Sequence, residues 1–110
     1  MEIKAQAKYV RISPRKARLV AAVAKKLPLS QSLERLSYLI KRGSKPVLAV
    51  LKSAQANALS RGLKAADLKI KNILIDEGIR MKRRDKSHGA RYGGGLIHKR
   101  TSHITVILTD

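Results

Sequence analysis

The sequence predicts an α+β fold in which three helices pack against a small three-stranded antiparallel sheet, with a long β-hairpin protruding from it. Apolar residues alternate with a period of two near both ends of the chain, which is typical of half-buried strands. Between them, helix-starting and helix-ending residues mark off three amphipathic stretches. Residues 76–106 run from one strand-like segment through a basic, glycine-rich tract to a second strand-like segment. We expect one domain over residues 1–110, with a hairpin extension at about residues 76–103.

The first strand is predicted at residues 3–10, followed directly by a helix. The strand residues that share the core-facing parity are Ile3, Ala5, Ala7 and Tyr9. Ser13 and Pro14 predict the start of the helix, because serine caps helix N-termini and proline suits the first turn. The inward stripe of this helix is Val20, Val23, Ala24 and Leu27. Pro28 is expected to end it.

Two further helices are predicted. The second is expected to begin at Ser30 and to end at Lys41, Arg42 and Gly43. Its apolar stripe is Leu33, Leu36, Leu39 and Ile40. The third is expected to run from Ser44 to a C-cap candidate at Gly62. The alanines expected to allow close packing of this helix are Ala49, Ala54, Ala56 and Ala58.

The remaining strands form the hairpin. The apolar phase shifts across Asn72, and a β-bulge there would explain the shift. The returning strand presents Ile104, Val106 and Leu108 on one parity. At ~3.3 Å per residue, about ten residues on each side would carry the arm on the order of 30 Å beyond the body.

Composition points to a polyanionic partner. The chain has 25 Lys plus Arg against 7 Asp plus Glu, a formal charge of +18, which favours nucleic acid as the partner class. No apolar run approaches the ~18 residues of a membrane-spanning helix, so we expect no membrane insertion. Cysteine is absent, which excludes disulfides, thiolate metal sites and a cysteine nucleophile.

Cations dominate the arm. Between Gly78 and Thr101 the only acidic residue is Asp85. The basic residues in this segment are Arg80, Lys82, Arg83, Arg84, Lys86, Arg91, Lys99 and Arg100. We expect the glycine-rich tip to be poorly ordered without a partner and the cations to contact phosphates. Arg15, Lys16 and Arg18 are predicted to add charge near a helix N-terminus, where backbone N–H groups already favour anions.

Aromatic residues are too few for a single-strand stacking platform, so folded RNA recognised by shape and phosphates fits better. Tyr92 is the one stacking candidate, with packing on the arm's own backbone as the alternative.

Catalytic and metal sites are not indicated. The histidines His88, His98 and His103 match no familiar ligand spacing, and we expect the latter two to form hydrogen bonds near the base of the arm. Asp76 and Glu77 are adjacent, so on a strand they point to opposite faces and cannot form an acid–base pair. We expect them to pair with nearby cations. No cofactor motif is present among the glycines.

Two segments carry a family resemblance. Residues 9–18, Tyr-Val-Arg-Ile-Ser-Pro-Arg-Lys-Ala-Arg, and residues 99–106, Lys-Arg-Thr-Ser-His-Ile-Thr-Val, resemble the two signatures of the large-subunit ribosomal protein twenty-two family. Asp76, Glu77 and Gly78 also match, and the resemblance covers essentially the whole chain. It implies a non-enzymatic rRNA-binding protein of the cytoplasmic ribosome, with an organellar ribosome as the alternative. It also implies a hairpin that reaches inward to line part of the nascent-peptide exit tunnel.

The resemblance implies specific contacts. The implied rRNA-binding residues are Arg11, Ser13, Arg15, Lys16, Arg18, Arg80, Lys82, Arg83, Arg84, Lys86, Arg91, Lys99, Arg100, Thr101, Ser102 and His103. The implied tunnel-facing tip is Lys86, Ser87, His88, Gly89, Ala90, Arg91 and Tyr92. Neighbouring ribosomal proteins and the nascent peptide are the other implied partners, and homo-oligomers are not expected. Ile79 stands where the family commonly has proline, and the tip carries three consecutive glycines.

The chief alternative is an architectural DNA-binding protein that grips a duplex with its basic β-arm. Such proteins usually act as dimers with an apolar wedge at the tip of the arm. This tip offers glycines instead of a wedge.

Overall fold

The computed structural model describes residues 1–87, 89, 91 and 93–110. In chain order the elements are β1 (Glu2–Val10), α1 (Pro14–Lys25), α2 (Leu29–Tyr38), α3 (Ser44–Ser60), a short 3₁₀ turn (Ala65–Asp67), β2 (Lys69–Arg84) and β3 (Leu96–Thr109). The strands form one antiparallel sheet in the order β1-β3-β2. These helices and strands confirm the predicted α+β class with its long hairpin.

The core lies between one face of the sheet and the helices. β3 is the central strand, and its side chains Ile104, Val106 and Leu108 are fully buried, as predicted. α3 contributes Val47 and Leu51 to the same aliphatic cluster. Because no aromatic residue among the described ones is part of the core, its stability comes from close packing of branched aliphatic side chains and alanines.

Helix boundaries follow the predicted signals in two of three cases. α1 begins at Pro14 after Ser13, and α3 begins at Ser44. α3 ends as expected before Gly62, which adopts a φ of +84°, and the N–H of Leu63 then donates to the carbonyl of Ala58. That backbone conformation suits glycine, so Gly62 ends the helix at low cost.

The prediction for α2 was wrong at both ends. The helix begins at Leu29, one residue before the predicted cap Ser30, because Leu29 is buried in the core. Buried Ser32 donates its hydroxyl to the carbonyl of Ala24 at 2.7 Å, which ties α2 to the end of α1. At the other end the chain becomes extended at Leu39, so Ile40 is 95% exposed and lies outside the stripe.

The apolar faces of α1 and α3 also differ in part from the predicted stripes. Val23 is only half-buried, because the face of α1 turned to the core is centred on small residues. Leu27 is also half-buried, but it lies beyond the end of the helix at Lys25. The buried apolar residues within this helix after Pro14 are Ala17, Val20, Ala21 and Ala24. In α3, Ala54 and Ala58 are buried as expected, whereas Ala49 and Ala56 are exposed.

Tyr9 does not face the core. The register of β1 against β3 shifts between Ala7 and Val10, and Tyr9 adopts a φ of +56° that turns its side chain outward. Its N–H donates to Nδ1 of His103 at 3.1 Å, and its ring meets the His103 ring edge to face. The period-two pattern failed here because a bulge interrupts it.

The hairpin contains two register shifts. One lies between Ile70 and Asn72, which confirms the predicted bulge, and the other lies between Glu77 and Arg80. Beyond the second shift the ladder continues to the pair formed by Arg84 and Leu96. Because the hairpin extends past the helices, the molecule measures 60 Å along its longest axis against 23 and 17 Å across.

Candidate nucleic-acid interface

A close backbone contact forms the base of the hairpin. Thr101 is buried and donates its hydroxyl to the carbonyl of Ile79 at 2.9 Å. A Cβ at Gly78 would lie 2.3 Å from Oγ1 of Thr101, so only glycine fits at this position without a shift. The second bulge therefore depends on Gly78, which lets β2 cross the Thr101 side chain.

Beyond this base, strand pairing assigns the arm's side chains to two faces. Directly paired residues on antiparallel strands point to the same face. The face that we call the cationic face carries Arg80, Lys82, Arg84, Leu96, His98 and Arg100. The face that we call the mixed face carries Met81, Arg83, Ile97 and Lys99. All of these side chains except half-buried Lys99 are exposed, so each face is open to a ligand.

The cationic face lies on the helical side of the sheet. Along β3, Arg100 and Ser102 have the same parity as Ile104, whose side chain is buried against the helices. No register shift of β3 against β2 occurs between Arg84 and Arg80, so His98 shares this side. The cations of the cationic face are thereby directed to the side on which α1 begins.

A basic cleft of about 250 Å³ lies where this side of the arm meets the start of α1. Its lining residues are Arg11, Ile12, Ser13, Lys16, Arg42, His98, Lys99 and Arg100. Arg11 donates a guanidinium N–H to the carbonyl of Arg100, which fixes the β1–α1 connection against β3. The structure thus brings together five of the residues predicted from sequence, which are Arg11, Ser13, Lys16, Lys99 and Arg100.

Two cleft residues were missed. Arg42 was assigned only to the end of α2, and His98 only to hydrogen bonding near the base of the arm. The neighbouring glycine, Gly43, is the sequence feature that relates to the position of Arg42. A Cβ at Gly43 would lie 3.0 Å from Cδ1 of Ile12 and 3.1 Å from Cγ2 of Val20. This close approach brings the α2–α3 loop against α1 and places Arg42 in the cleft.

Several other residues that were predicted to contact rRNA instead bond or pack within the protein itself. Arg18 donates to the carbonyl of Ile75 at 3.0 Å, and His103 accepts the N–H of Tyr9. Thr101 and Ser102 are buried, so their side chains lie inside the protein and not on its surface. The Ser102 hydroxyl has no hydrogen-bond partner within the described part of the chain. Arg15 is exposed on α1 outside the cleft.

At the tip, the exposed predicted residues are Lys86, Ser87, Gly89 and Arg91. Asp85 accepts the N–H and the hydroxyl of Ser87, and these hydrogen bonds lower the pKa of the Asp85 carboxyl. The N–H of Asp85 donates to the carbonyl of Gly95, which closes the ladder. The predicted tip residues His88, Ala90 and Tyr92 lie outside the described residues.

Acidic residues neutralise little of the arm. Glu77 forms a salt bridge with Arg80, as predicted, and this hydrogen bond is the main cause of the lowered pKa of Glu77. The same prediction is wrong for Asp76, which forms no salt bridge within the described residues. Attraction from Arg100 and Arg18 also lowers the pKa of Glu77. In the described ranges no carboxylate lies within 4 Å of the charged nitrogens of the arm residues Lys82, Arg83, Arg84, Lys99 or Arg100.

No group of three or more histidine or acidic side chains suited to a metal ion occurs in residues 1–87, 89, 91 and 93–110. Within those ranges, no helix has the length and apolar character needed to cross a membrane.

Comparison with known proteins gives a consistent answer. Residues 5–109 match the family model described as "Ribosomal protein L22p/L17e". The large ribosomal subunit protein uL22 of Mesoplasma florum is 45% identical over all of this chain and 97% of its own length. The uL22 proteins of Thermus thermophilus and Akkermansia muciniphila are 47% and 45% identical, again over all of this chain and 96% and 97% of their own. This chain therefore belongs to the ribosomal protein L22p/L17e family, and is a structural, non-enzymatic constituent of the large ribosomal subunit.

Proposed function

We propose that the protein binds large-subunit rRNA through two connected surfaces, the cationic face of the arm and the basic cleft. The observation that carries this proposal is their continuity. His98 and Arg100 belong to both surfaces, so a strand of RNA that leaves the arm reaches the cleft without crossing neutral surface. The formal charge of +18 would draw such a polyanion to the chain over a distance of about one Debye length.

Counterion release supplies most of the proposed binding energy. Each phosphate neutralised by lysine or arginine releases a condensed counterion, which lowers the affinity as salt rises, with a slope of about 0.7 to 0.9 per phosphate. The arm suits this role because its cations have no apolar core to support and few acidic neighbours. Phosphate contacts position the protein, and base contacts would have to supply any sequence preference.

The predicted RNA contacts fall into two groups under this proposal. Those with exposed or cleft-lining side chains contact RNA directly, and they are Arg11, Ser13, Arg15, Lys16, Arg80, Lys82, Arg83, Arg84, Lys86, Arg91, Lys99 and Arg100. The other four position these residues. Arg18 is exposed but donates to the carbonyl of Ile75, Thr101 and His103 bond to neighbouring parts of the chain, and Ser102 is buried.

We further propose that the arm points into the subunit and that its tip, residues 86–92, lines part of the tunnel for nascent peptide. The support is the elongated shape of the molecule together with its family, since a 60 Å molecule can contact RNA far from its own body. Neighbouring ribosomal proteins would contact the body. The protein acts in the cytoplasmic ribosome, as its bacterial relatives do. We expect no homo-oligomer, because two copies of such charge repel one another.

The direct test compares affinities for a folded large-subunit rRNA fragment and for duplex DNA of equal phosphate content at one salt concentration. We expect at least tenfold tighter binding to the rRNA fragment. Co-sedimentation with large subunits through a high-salt wash supplies a second readout in cell extracts. Equal affinity for the two nucleic acids, with loss from subunits in the wash, would favour the architectural DNA-binding alternative instead.

A further inference from the structure

We propose that the basic cleft is a socket for a single phosphate group of the RNA backbone, held from several sides, and that Arg42 is one of its ligands. The proposal rests on the proposed rRNA binding and names the chemical group bound at one place in that interface. It differs from general attraction between a charged face and RNA, because a socket binds one phosphate with defined geometry and saturates.

The size and lining of the cleft suit one anion contacted from several sides. Its residues come from four separate parts of the chain, which are the β1–α1 connection, the first turn of α1, the α2–α3 loop and β3. The cleft has a volume of about 250 Å³, which is the liquid volume of about eight water molecules. A phosphate group with some water fits in this space, whereas a base pair does not. RNA would therefore present a phosphate at a bend of the backbone.

The electrostatics of the cleft require an anion. Among the described lining residues, five carry permanent positive charge and none is acidic. The five are Arg11, Lys16, Arg42, Arg100 and Lys99, whose side chain belongs to the mixed face of the arm. None of the five forms a salt bridge within the part of the chain that the structure describes. Like charges held this close destabilise the folded state, and a bound phosphate reverses the sign of that interaction.

Hydrogen-bond donors are also left available. Arg11 uses part of its guanidinium group to reach the carbonyl of Arg100, so the group is held in place while other N–H donors remain. Ser13 occupies the N-cap position of α1, yet its hydroxyl makes no capping hydrogen bond. A phosphate oxygen in the cleft can accept from both residues.

Arg42 allows the socket to be tested apart from the arm. It comes from the α2–α3 loop, it is exposed, and it takes no part in the sheet or the core. Arg61 is a matched control, because it is also an exposed arginine beside an end of α3 and does not line the cleft. The two residues flank opposite ends of a helix of 17 residues, about 25 Å apart at 1.5 Å per residue.

The experiment titrates the full-length protein with inorganic pyrophosphate and with the dinucleotide UpU at constant ionic strength, followed by backbone NMR shifts. We expect saturable shifts clustered at residues 13–16 and 98–100 with both probes. Arg42→Gln should weaken binding about tenfold or more, as for loss of one charge-assisted hydrogen bond, while Arg61→Gln stays within about twofold. Lys16→Gln is a second cleft variant, and thermal melts confirm that all variants fold.

Several outcomes contradict the socket. Shifts that spread over the whole surface without saturating, or equal losses for Arg42→Gln and Arg61→Gln, would show general screening. Binding of pyrophosphate without any binding of UpU would assign the cleft to free phosphate and not to RNA. Failure of the proposed function is distinguishable, because then the wild-type protein itself would show no preference for the rRNA fragment over duplex DNA.

Discussion

The inner and outer halves of the hairpin use one continuous pair of strands for opposite purposes. In the inner half, Ile73, Ile75, Ile104 and Val106 are buried and form part of the core. In the outer half, beyond the bulge at Gly78, most side chains are exposed and cationic. The pairing of β2 with β3 resumes after this bulge, so the change of role lies mainly in the side chains. The inner half stabilises the fold, and the outer half presents ligands for phosphate.

The outer half depends on the inner half for its shape. A two-stranded hairpin in water is marginally stable by itself. Here the base is fixed by the hydrogen bond from Thr101 to Ile79 and by the pairing of Glu77 with Ser102, next to a buried sheet. The arm therefore needs no core of its own, and its sequence is left free for cations.

The largest expected effect is a difference between the two halves in how much an isoleucine-to-alanine substitution lowers the free energy of unfolding. Ile104 is 0% exposed and Ile97 is 39% exposed on the same strand, so one substitution can be compared in two surroundings. Ile104→Ala should lower the free energy of unfolding by about 2 to 5 kcal/mol, and Ile97→Ala by less than about 1 kcal/mol. Urea denaturation measures both values. Similar losses for the two variants would mean that the arm shares the core.

The junction between the halves should respond to added volume. Gly78→Ala places a Cβ against Thr101 and should cost about 2 kcal/mol of stability, in the range for overpacked sites. Thr101→Ala removes the hydrogen bond to Ile79 and should cost about 1 kcal/mol. Because Thr101→Ala also removes the clashing Oγ1, the double variant should lose less than the sum of the two. Strict additivity would show that Gly78 has another role.

The halves should also differ in protection from proteases. The arm's cations have few internal partners, so limited trypsin digestion of the free protein should cut first between Arg80 and Lys99. Cleavage at Lys25 or Lys52, which lie on helices, should follow later. Bound rRNA fragment should slow the first cut about tenfold or more. Uniform resistance along the chain would count against an arm that depends on its partner.

The smallest effect concerns the ion pair at the junction. Arg80 lowers the pKa of Glu77, so this carboxyl contributes stability above its ordinary pKa of 4.5, and the contribution is lost as pH falls through the lower folded value. An NMR titration of Glu77 should show the pKa moving back toward its ordinary value in Arg80→Ala. An unchanged titration would mean that the salt bridge does not form in solution.

Local patterns predicted most of the fold. The hairpin, the bulge at Asn72 and the bounds of α3 follow from alternation, phase shifts and capping residues, which act over a few residues. The outward turn of Tyr9 was not predictable, because it depends on His103, which is distant in sequence. The second bulge likewise depends on contact between Gly78 and Thr101.

The candidate site was predicted only in part, because some of its residues are brought together by contacts between segments that are distant in sequence. Clusters such as Lys99 and Arg100 stand out in the sequence as uncompensated charge. Arg42 does not, because its position beside β3 depends on how the α2–α3 loop packs against α1. Burial of Thr101 and Ser102 was also hidden, since a short polar run between cations resembles a surface segment.

The salt dependence of rRNA binding tests the central claim most directly. Lys82→Gln/Arg84→Gln removes two charges from the cationic face, and Lys52→Gln/Arg61→Gln removes the same two residue types from α3 and its C-cap position. We predict that the log–log slope for the first variant falls by about 1.4 to 1.8, with stability unchanged, while the control keeps the wild-type slope. Equal slopes for both variants would contradict the assignment of phosphate binding to the outer half of the hairpin.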